Sequence, residues 1–301
     1  MTIPLIIDTD PGVDDAVALM LAAASPQVRL LGVTTVFGNA TVELTTANAL
    51  RLRTLAGFEH VPVAAGASRP LVYPYQPRGP SHHGPDALAG QAHLLPPPGG
   101  PPDALSAVAL MATLLRQASA PVTLVTIAPL TNVALLLATH PETKPRIKRI
   151  VAMAGNLSGL PAETNVRLDP EAARRVLVEE DVPATVVPLE VTSQVTVDAA
   201  WVAELAAAGP RCALLAGIIT AASRGHPMPL RDALAVLEAA APGTLASTPM
   251  RVDVVCDHGV ARGVVLADTT QASHKRVVEV ARAADPPSIR AALLNRLRRL
   301  R

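Results

Sequence analysis

Leu5-Ile6-Ile7-Asp8-Thr9-Asp10-Pro11-Gly12-Val13-Asp14-Asp15 decides how the rest of the chain reads. Its first three residues form a short apolar run of the kind that becomes a buried strand. Pro11-Gly12 forces a turn, and Asp14 to Ala24 follows as a helix with acids in its first turn. The same alternation continues outward. Arg29 to Val36 is β-branched and strand-like. Thr41 to Ala56 reads as a helix with Thr41 as N-cap and Gly57 as stop, and Val61-Pro62-Val63 is a third strand. Further on come helix 103–118, strand 122–127, helix 131–139, strand 149–153, helix 170–179 and strand 184–188. Near-continuous apolar strands separated by helices predict an α/β fold: an open, mainly parallel sheet flanked by helices. Beyond Val191 the pattern is mostly helical, closing with a hairpin of 252–256 against 260–266 and a basic helix near 288–300. Residues 66–102 break the rhythm with Gly, Pro, Ser and histidines. Because alternation resumes after them, they read as a long loop excursion from a single domain spanning 1–301.

The 301 residues are 50% apolar and 17% charged, enough for a sizeable core and incompatible with bulk disorder. Lys and Arg number 26 against 25 acids, so no nucleic-acid partner that must neutralise many phosphates is expected. Cys212 and Cys256 cannot build a disulfide framework. No apolar stretch of about 18 residues is free of charges or breakers, so no membrane span is expected. The run before Asp8 is too short for a signal peptide, and a cytoplasmic location is expected.

In an open α/β sheet, ligands bind where strands end. The first strand ends in four carboxylates within eight residues, Asp8, Asp10, Asp14 and Asp15. Helix capping accounts for Asp14 or Asp15, but not for four. Crowded carboxylates repel and call for a cation, and hard oxygen ligands suit Ca²⁺ or Mg²⁺. The spacing does not fit an EF-hand loop, so other ligands must come from elsewhere in the chain. Other strand ends bring Gly38-Asn39, Leu130-Thr131-Asn132, Gly155-Asn156, Glu163-Thr164-Asn165 and Arg231-Asp232. Singly these are ordinary turn and cap residues. Together they describe a cleft lined with oxygen and amide groups, suited to a polyhydroxylated ligand such as a sugar.

The run Asp8 to Ala16 resembles the N-terminal signature of the inosine–uridine preferring nucleoside hydrolases. The resemblance continues through Gly38-Asn39, His83-Gly84, Leu130-Thr131-Asn132, Glu163-x-Asn165, Asp169-Pro170-Glu171-Ala172-Ala173, Asp232 and Arg262-Gly263 to Asp268. It implies a Rossmann-like nucleoside hydrolase fold and calcium-dependent hydrolysis of the N-glycosidic bond of ribonucleosides to ribose and free base. By the same resemblance, Asp10, Asp15, Asp232 and the Thr126 carbonyl would hold Ca²⁺. Asp10 would act as general base on the attacking water. Asp14, Asn39 and Asn165 would hold ribose hydroxyls and Glu163 the 5′-hydroxyl, joined by Asn156 if the loop shifts by one residue. The expected partners are a small-molecule ribonucleoside and further copies of the chain, as a homodimer or homotetramer.

Two positions depart from the family pattern. Purine-active relatives carry a histidine before the last calcium aspartate as leaving-group acid; here it is Arg231, and a guanidinium holds its proton at neutral pH. It could donate hydrogen bonds to the base or merely pair with nearby acids. Thr164 replaces a phenylalanine that faces the substrate, and Tyr73 or Tyr75 could compensate by stacking. His83 matches the family's substrate-facing loop histidine and, with His82 and His226, is a candidate proton donor. With both purine-directed features missing, pyrimidine nucleosides are the expected substrates. Two other readings compete. One is a calcium-dependent ribose or nucleoside binder with weak catalysis. The other is a haloacid-dehalogenase-like phosphatase using Asp8 and Asp10, although its usual Gly-Thr continuation is replaced here by Pro-Gly-Val-Asp-Asp.

Overall fold

The computed structural model describes residues 2–76, 83–268 and 276–300. In chain order the strands are β1 (Ile3–Thr9), β2 (Val28–Thr35), β3 (Val63–Ala65), β4 (Val122–Thr126), β5 (Ile147–Met153), β6 (Ala184–Val187), β7 (Thr196–Val197), β8 (Met228–Pro229), β9 (Ala246–Val254), β10 (Val265–Asp268) and β11 (Val278–Ala283). The helices are α1 (Val13–Ala24), α2 (Val42–Ala56), α3 (Ala107–Gln117), α4 (Thr131–Thr139), α5 (Thr164–Leu168), α6 (Pro170–Arg174), α7 (Leu189–Thr192), α8 (Ala199–Ala206), α9 (Pro210–Ser223), α10 (Arg231–Ala240) and α11 (Pro286–Leu297). Nine strands form one sheet in the order β10-β9-β11-β6-β5-β4-β1-β2-β3. From β3 to β11 every neighbouring pair is parallel; β9 and β10 extend the sheet as an antiparallel wing.

Alternation along β1 assigns its side chains to two layers. Leu5 and Ile7 pack into a core with α1, α2, α9, α10 and α11, whereas Ile6 joins α3, α4 and α6 on the opposite face. This is the three-layer α/β arrangement expected from the apolar strands. Parallel pairing also aligns strand ends: Asp8 lies opposite Thr34 of β2 and Thr126 of β4. The ends of β1, β2 and β4 therefore open on one edge of the sheet.

Several boundaries follow their chemistry. Gly57 ends α2 in the left-handed region at φ 76°, as expected of a C-terminal glycine. α3 begins only after Ser106, whose side chain accepts from the Ala109 amide. The helix expected over 170–179 is α-helical to Arg174 and continues as a π-helical turn, Arg175–Glu179. The expected hairpin exists as β9 and β10, with Val254 opposite Val265. Missed from the sequence was β11, which lies between β9 and β6 and joins the wing to the parallel sheet. Its alternating Val278, Glu279 and Val280 is a short strand signal diluted by charge; both valines are buried. A small β7–β8 ladder interrupts the helical part, also unforeseen.

Between β3 and α3 the described residues hold one short 3₁₀ turn, Ala92–Leu94, and no α-helix or strand. Side chains from the framework pin this excursion. Asn132 accepts from Ala67 N–H at 2.9 Å while donating to Asp8 Oδ1 and the Thr35 carbonyl. Asp169 accepts from Leu71 N–H at 3.0 Å. Asn48 donates to the carbonyls of both Pro11 and Asp86. No helix among the described residues is long and apolar enough to cross a membrane.

Candidate active site

α1 starts at Val13, four residues after β1 ends, so the β1–α1 turn gathers its acids at the sheet edge. Asp15 reaches back over this turn. Its Oδ1 accepts from Thr9 Oγ1 at 2.6 Å, and its Oδ2 accepts from Gly12 N–H at 2.9 Å. α10 packs along α1 and brings Asp232, in its own first turn, to the same place. Carboxylate oxygens of Asp14, Asp15 and Asp232 all lie within 4.8 Å of one another, and all three residues are buried. Burial, then the Asp14 charge, pushes Asp15 up to about 6. Asp232 is held well above the ordinary carboxylate range by burial and then by the charges of Asp14, Asp15 and Asp10.

Asp10 is buried beside this group. Its Oδ2 accepts from Asn39 N–H at 2.6 Å, and the Asn39 amide donates to the Asp10 carbonyl and to Asp15 Oδ2. Gly38 permits this approach, because a Cβ there would overlap Asp10 Oδ2. Deeper in β1, Asp8 accepts from Thr34 Oγ1 and Asn132, and burial raises it to about 7. Such repulsion between hard oxygen donors is relieved by a divalent cation or by protonation. The residues present fit a hard divalent cation.

Above the acids lies a cleft of about 250 Å³. Asp14, Asn39, His83, Glu163, Thr164, Asn165, Arg231 and Asp232 supply its polar lining; Ile127, Met153, Pro161, Ala162 and Leu189 supply the apolar part. Glu163 caps α5, accepting from the amides of Asn165, Val166 and Gly155. Burial raises its proton affinity against those three bonds. Asn165 donates to the Met153 carbonyl, fixing its amide at the end of β5. His83 enters from the long excursion and lodges on the N-terminus of α1, where its Nδ1 accepts from Val13 N–H at 3.1 Å. Arg231, at the start of α10, makes no hydrogen bond or ion pair with any described residue. Its Nε is buried without a hydrogen-bond partner. The pairing with nearby acids that the sequence left open is therefore absent, although its charge is felt at Glu163.

Other candidates stand elsewhere. Asn156 does not line the cleft: its amide donates to the Pro161 carbonyl and its Oδ1 accepts from Ser158 N–H, closing its own loop. Thr126 is buried at the end of β4, and the neighbouring Ile127 supplies the cleft wall. Tyr75 stacks on Phe37 and donates to the Gly38 carbonyl, while Tyr73 lies against His258 and Arg262. Neither ring lines the cleft, so the stacking compensation that the sequence left open is not found among the described residues. His226 lines an apolar groove between α8 and α9 instead. His82 lies outside the described residues. Sequence reading passed over Met153 as a wall residue and Leu189 altogether. Leu189 follows the end of β6, and the strand-end rule applied to that strand would have found it.

The family model described as inosine-uridine preferring nucleoside hydrolase matches residues 5–291. The pyrimidine-specific ribonucleoside hydrolase RihA of Shewanella woodyi is 46% identical over 202 residues, 65% of this chain and 63% of that protein. The protein of the same name from Salmonella agona is 43% identical over 214 residues, 69% of this chain and 67% of its own length. The alignment thus spans a little under two thirds of the first relative. Among solved structures, a plant nucleoside hydrolase superposes with a TM-score of 0.91 at 26% identity, covering 99% of both chains. A purine-preferring ribonucleoside hydrolase from Gardnerella vaginalis gives 0.90 at 26% identity, covering 99% of this chain and 98% of that one. The parallel sheet, the acid cluster at its edge and the family match over residues 5–291 agree: the chain belongs to the inosine-uridine preferring nucleoside hydrolase family.

Proposed function

We propose that this protein hydrolyses the N-glycosidic bond of ribonucleosides, releasing ribose and free base, with Ca²⁺ as cofactor and pyrimidine nucleosides preferred. One observation carries the reading: buried carboxylates of Asp14, Asp15 and Asp232 meet beside Asp10 under a cleft walled by Asn39, Glu163 and Asn165. Asp10, Asp15, Asp232 and the Thr126 carbonyl would hold the ion, with Asp14 at the same cluster. When bound, Ca²⁺ offsets the carboxylate repulsion and makes water more acidic.

Asp10 takes a proton from the attacking water; Asn39, bonded to it through N–H and amide, fixes the orientation of the carboxylate. Asp14, Asn39 and Asn165 bind ribose hydroxyls, and Glu163 takes the 5′-hydroxyl. Acids beneath the ring favour the oxocarbenium-like charge of the transition state. On the base side Arg231 and His83 face the leaving group. The absence of an aromatic wall other than His83 among the described lining residues disfavours stacking-driven purine recognition. The pyrimidine-specific names of the relatives at 43–46% identity support the same preference.

The test is a reducing-sugar assay across the common ribonucleosides, with and without chelator. Release of ribose from uridine or cytidine that stops on chelation is expected. Tight binding of nucleosides without turnover would replace this reading with a binding protein.

A further inference from the structure

Resting on the hydrolase reading above, we infer that no described residue of this site gives a proton to the departing base, and that Arg231 and His83 receive that base as an anion. Two independent observations meet here. The first is Arg231: it lines the cleft, its Nε is buried without a partner, and it forms no ion pair among the described residues although Asp232 follows it in sequence. A guanidinium fixes positive charge but does not give up a proton. A cation that makes no ion-pair contact in a cleft remains available to a negative charge that arrives or develops there.

The second is the placement of His83. Val13 N–H donates to its Nδ1 at 3.1 Å, at the N-terminus of α1. A backbone N–H can only donate, so Nδ1 is an acceptor and the ring proton sits on Nε2. A doubly protonated ring would set Nδ1–H against Val13 N–H at the positive end of a helix. His83 is thereby held as a neutral hydrogen-bond donor rather than as an acid. Gly12 makes room for it, since a Cβ there would lie 2.5 Å from His83 Nδ1. Of the remaining acids, Asp14 and Asp232 belong to the carboxylate cluster, and Glu163 has its oxygens occupied by three backbone N–H groups.

The reaction then balances as follows. The C1′–N bond breaks with its electron pair going to the base. Water oxygen bonds to C1′, and its proton passes to Asp10. The base leaves as an anion beside Arg231 and takes its proton from solvent afterwards. Substrates are therefore ranked by the acidity of the leaving base within one ring type, because a general acid would level that dependence and a fixed cation does not.

The test is the single-turnover rate for 5-methyluridine, uridine and 5-fluorouridine, which differ little in shape and increase in base acidity. The wild type is expected to rise at least tenfold across the series. Arg231→Gln should slow all three while keeping the slope, and Arg231→His should flatten it. Nitrogen NMR of the resting protein, with His83 assigned against His83→Gln, should show Nδ1 unprotonated. A flat wild-type series, a slope that steepens in His82→Ala, or a protonated Nδ1 at neutral pH would each overturn the inference and leave the hydrolase reading standing. Failure to cleave any of the three, or any common ribonucleoside, would remove the hydrolase reading, and this inference with it.

Discussion

The floor of the cleft and its base-side wall treat charge in opposite ways. Under the ribose position, Asp10, Asp14, Asp15 and Asp232 crowd like charges together, and burial raises the proton affinity of Asp15 and Asp232 further. At the wall, Arg231 stands without an ion-pair partner among the described residues, although its charge is felt at Glu163. Under the function proposed above, the floor would hold a cation and act on water, and the wall would receive the departing base.

The largest expected effect tests the floor. Asp10→Asn keeps the hydrogen bonds to Asn39 in shape but removes the base. Turnover should fall by at least ~10²–10⁴-fold, the usual worth of general-base catalysis, with the circular dichroism spectrum unchanged. A variant keeping a third of the wild-type rate would place the base elsewhere.

Chelation tests the same floor through stability. Asp15 at about 6 and Asp8 at about 7 bind protons more tightly folded than unfolded. For carboxyls raised in this way the folded protein carries more protons, so stability of the metal-free form falls as pH rises from about 4 to about 7. Added Ca²⁺ should raise the melting temperature by several degrees at pH 8 and by much less at pH 5, read by thermal denaturation. An equal Ca²⁺ effect at both values would mean that Asp15 and its neighbours in the cluster do not hold the ion.

The wall is tested by substrate choice. Wild type should favour uridine over inosine by at least tenfold in kcat/KM, about 1.4 kcal/mol in transition-state binding, and Arg231→His should narrow that gap. Inosine preferred tenfold by the wild type would mean the wall recognises purines through other groups. The smallest effect is expected at Tyr75→Phe. It removes one hydrogen bond to the Gly38 carbonyl, about 1 kcal/mol of stability, and should leave the rate within about twofold.

How much was legible in sequence divides along the same line. The floor's first part is contiguous: strand, Pro-Gly turn and helix start compress four acids into one readable run, and the apolar strands around it declare the parallel sheet. Asp232 stood among the polar candidates in the sequence, but its meeting with the first acid run was reachable only through resemblance, because the packing of α10 on α1 that delivers it is long-range. Asn156 was drawn toward the site by its strand-end position, yet its side chain closes a local turn, the usual competing use of a short amide. The isolation of Arg231 could not be read at all, since an ion pair depends on side-chain direction. β11 was lost because charges dilute its two buried valines.

Gly12 and Gly38 carry one more consequence, for how this protein can change over generations. Neither adopts a left-handed backbone, so torsion does not demand glycine there; an imidazole and a carboxylate occupy the space a methyl group would need. Gly243, by contrast, is left-handed at φ 88° with nothing within 4 Å of a built Cβ, and asparagine can replace it at modest cost. Replacement is thus limited at Gly243 by backbone torsion alone, and at Gly12 and Gly38 by the side chains of His83, Asn39 and Asp10 packed against them.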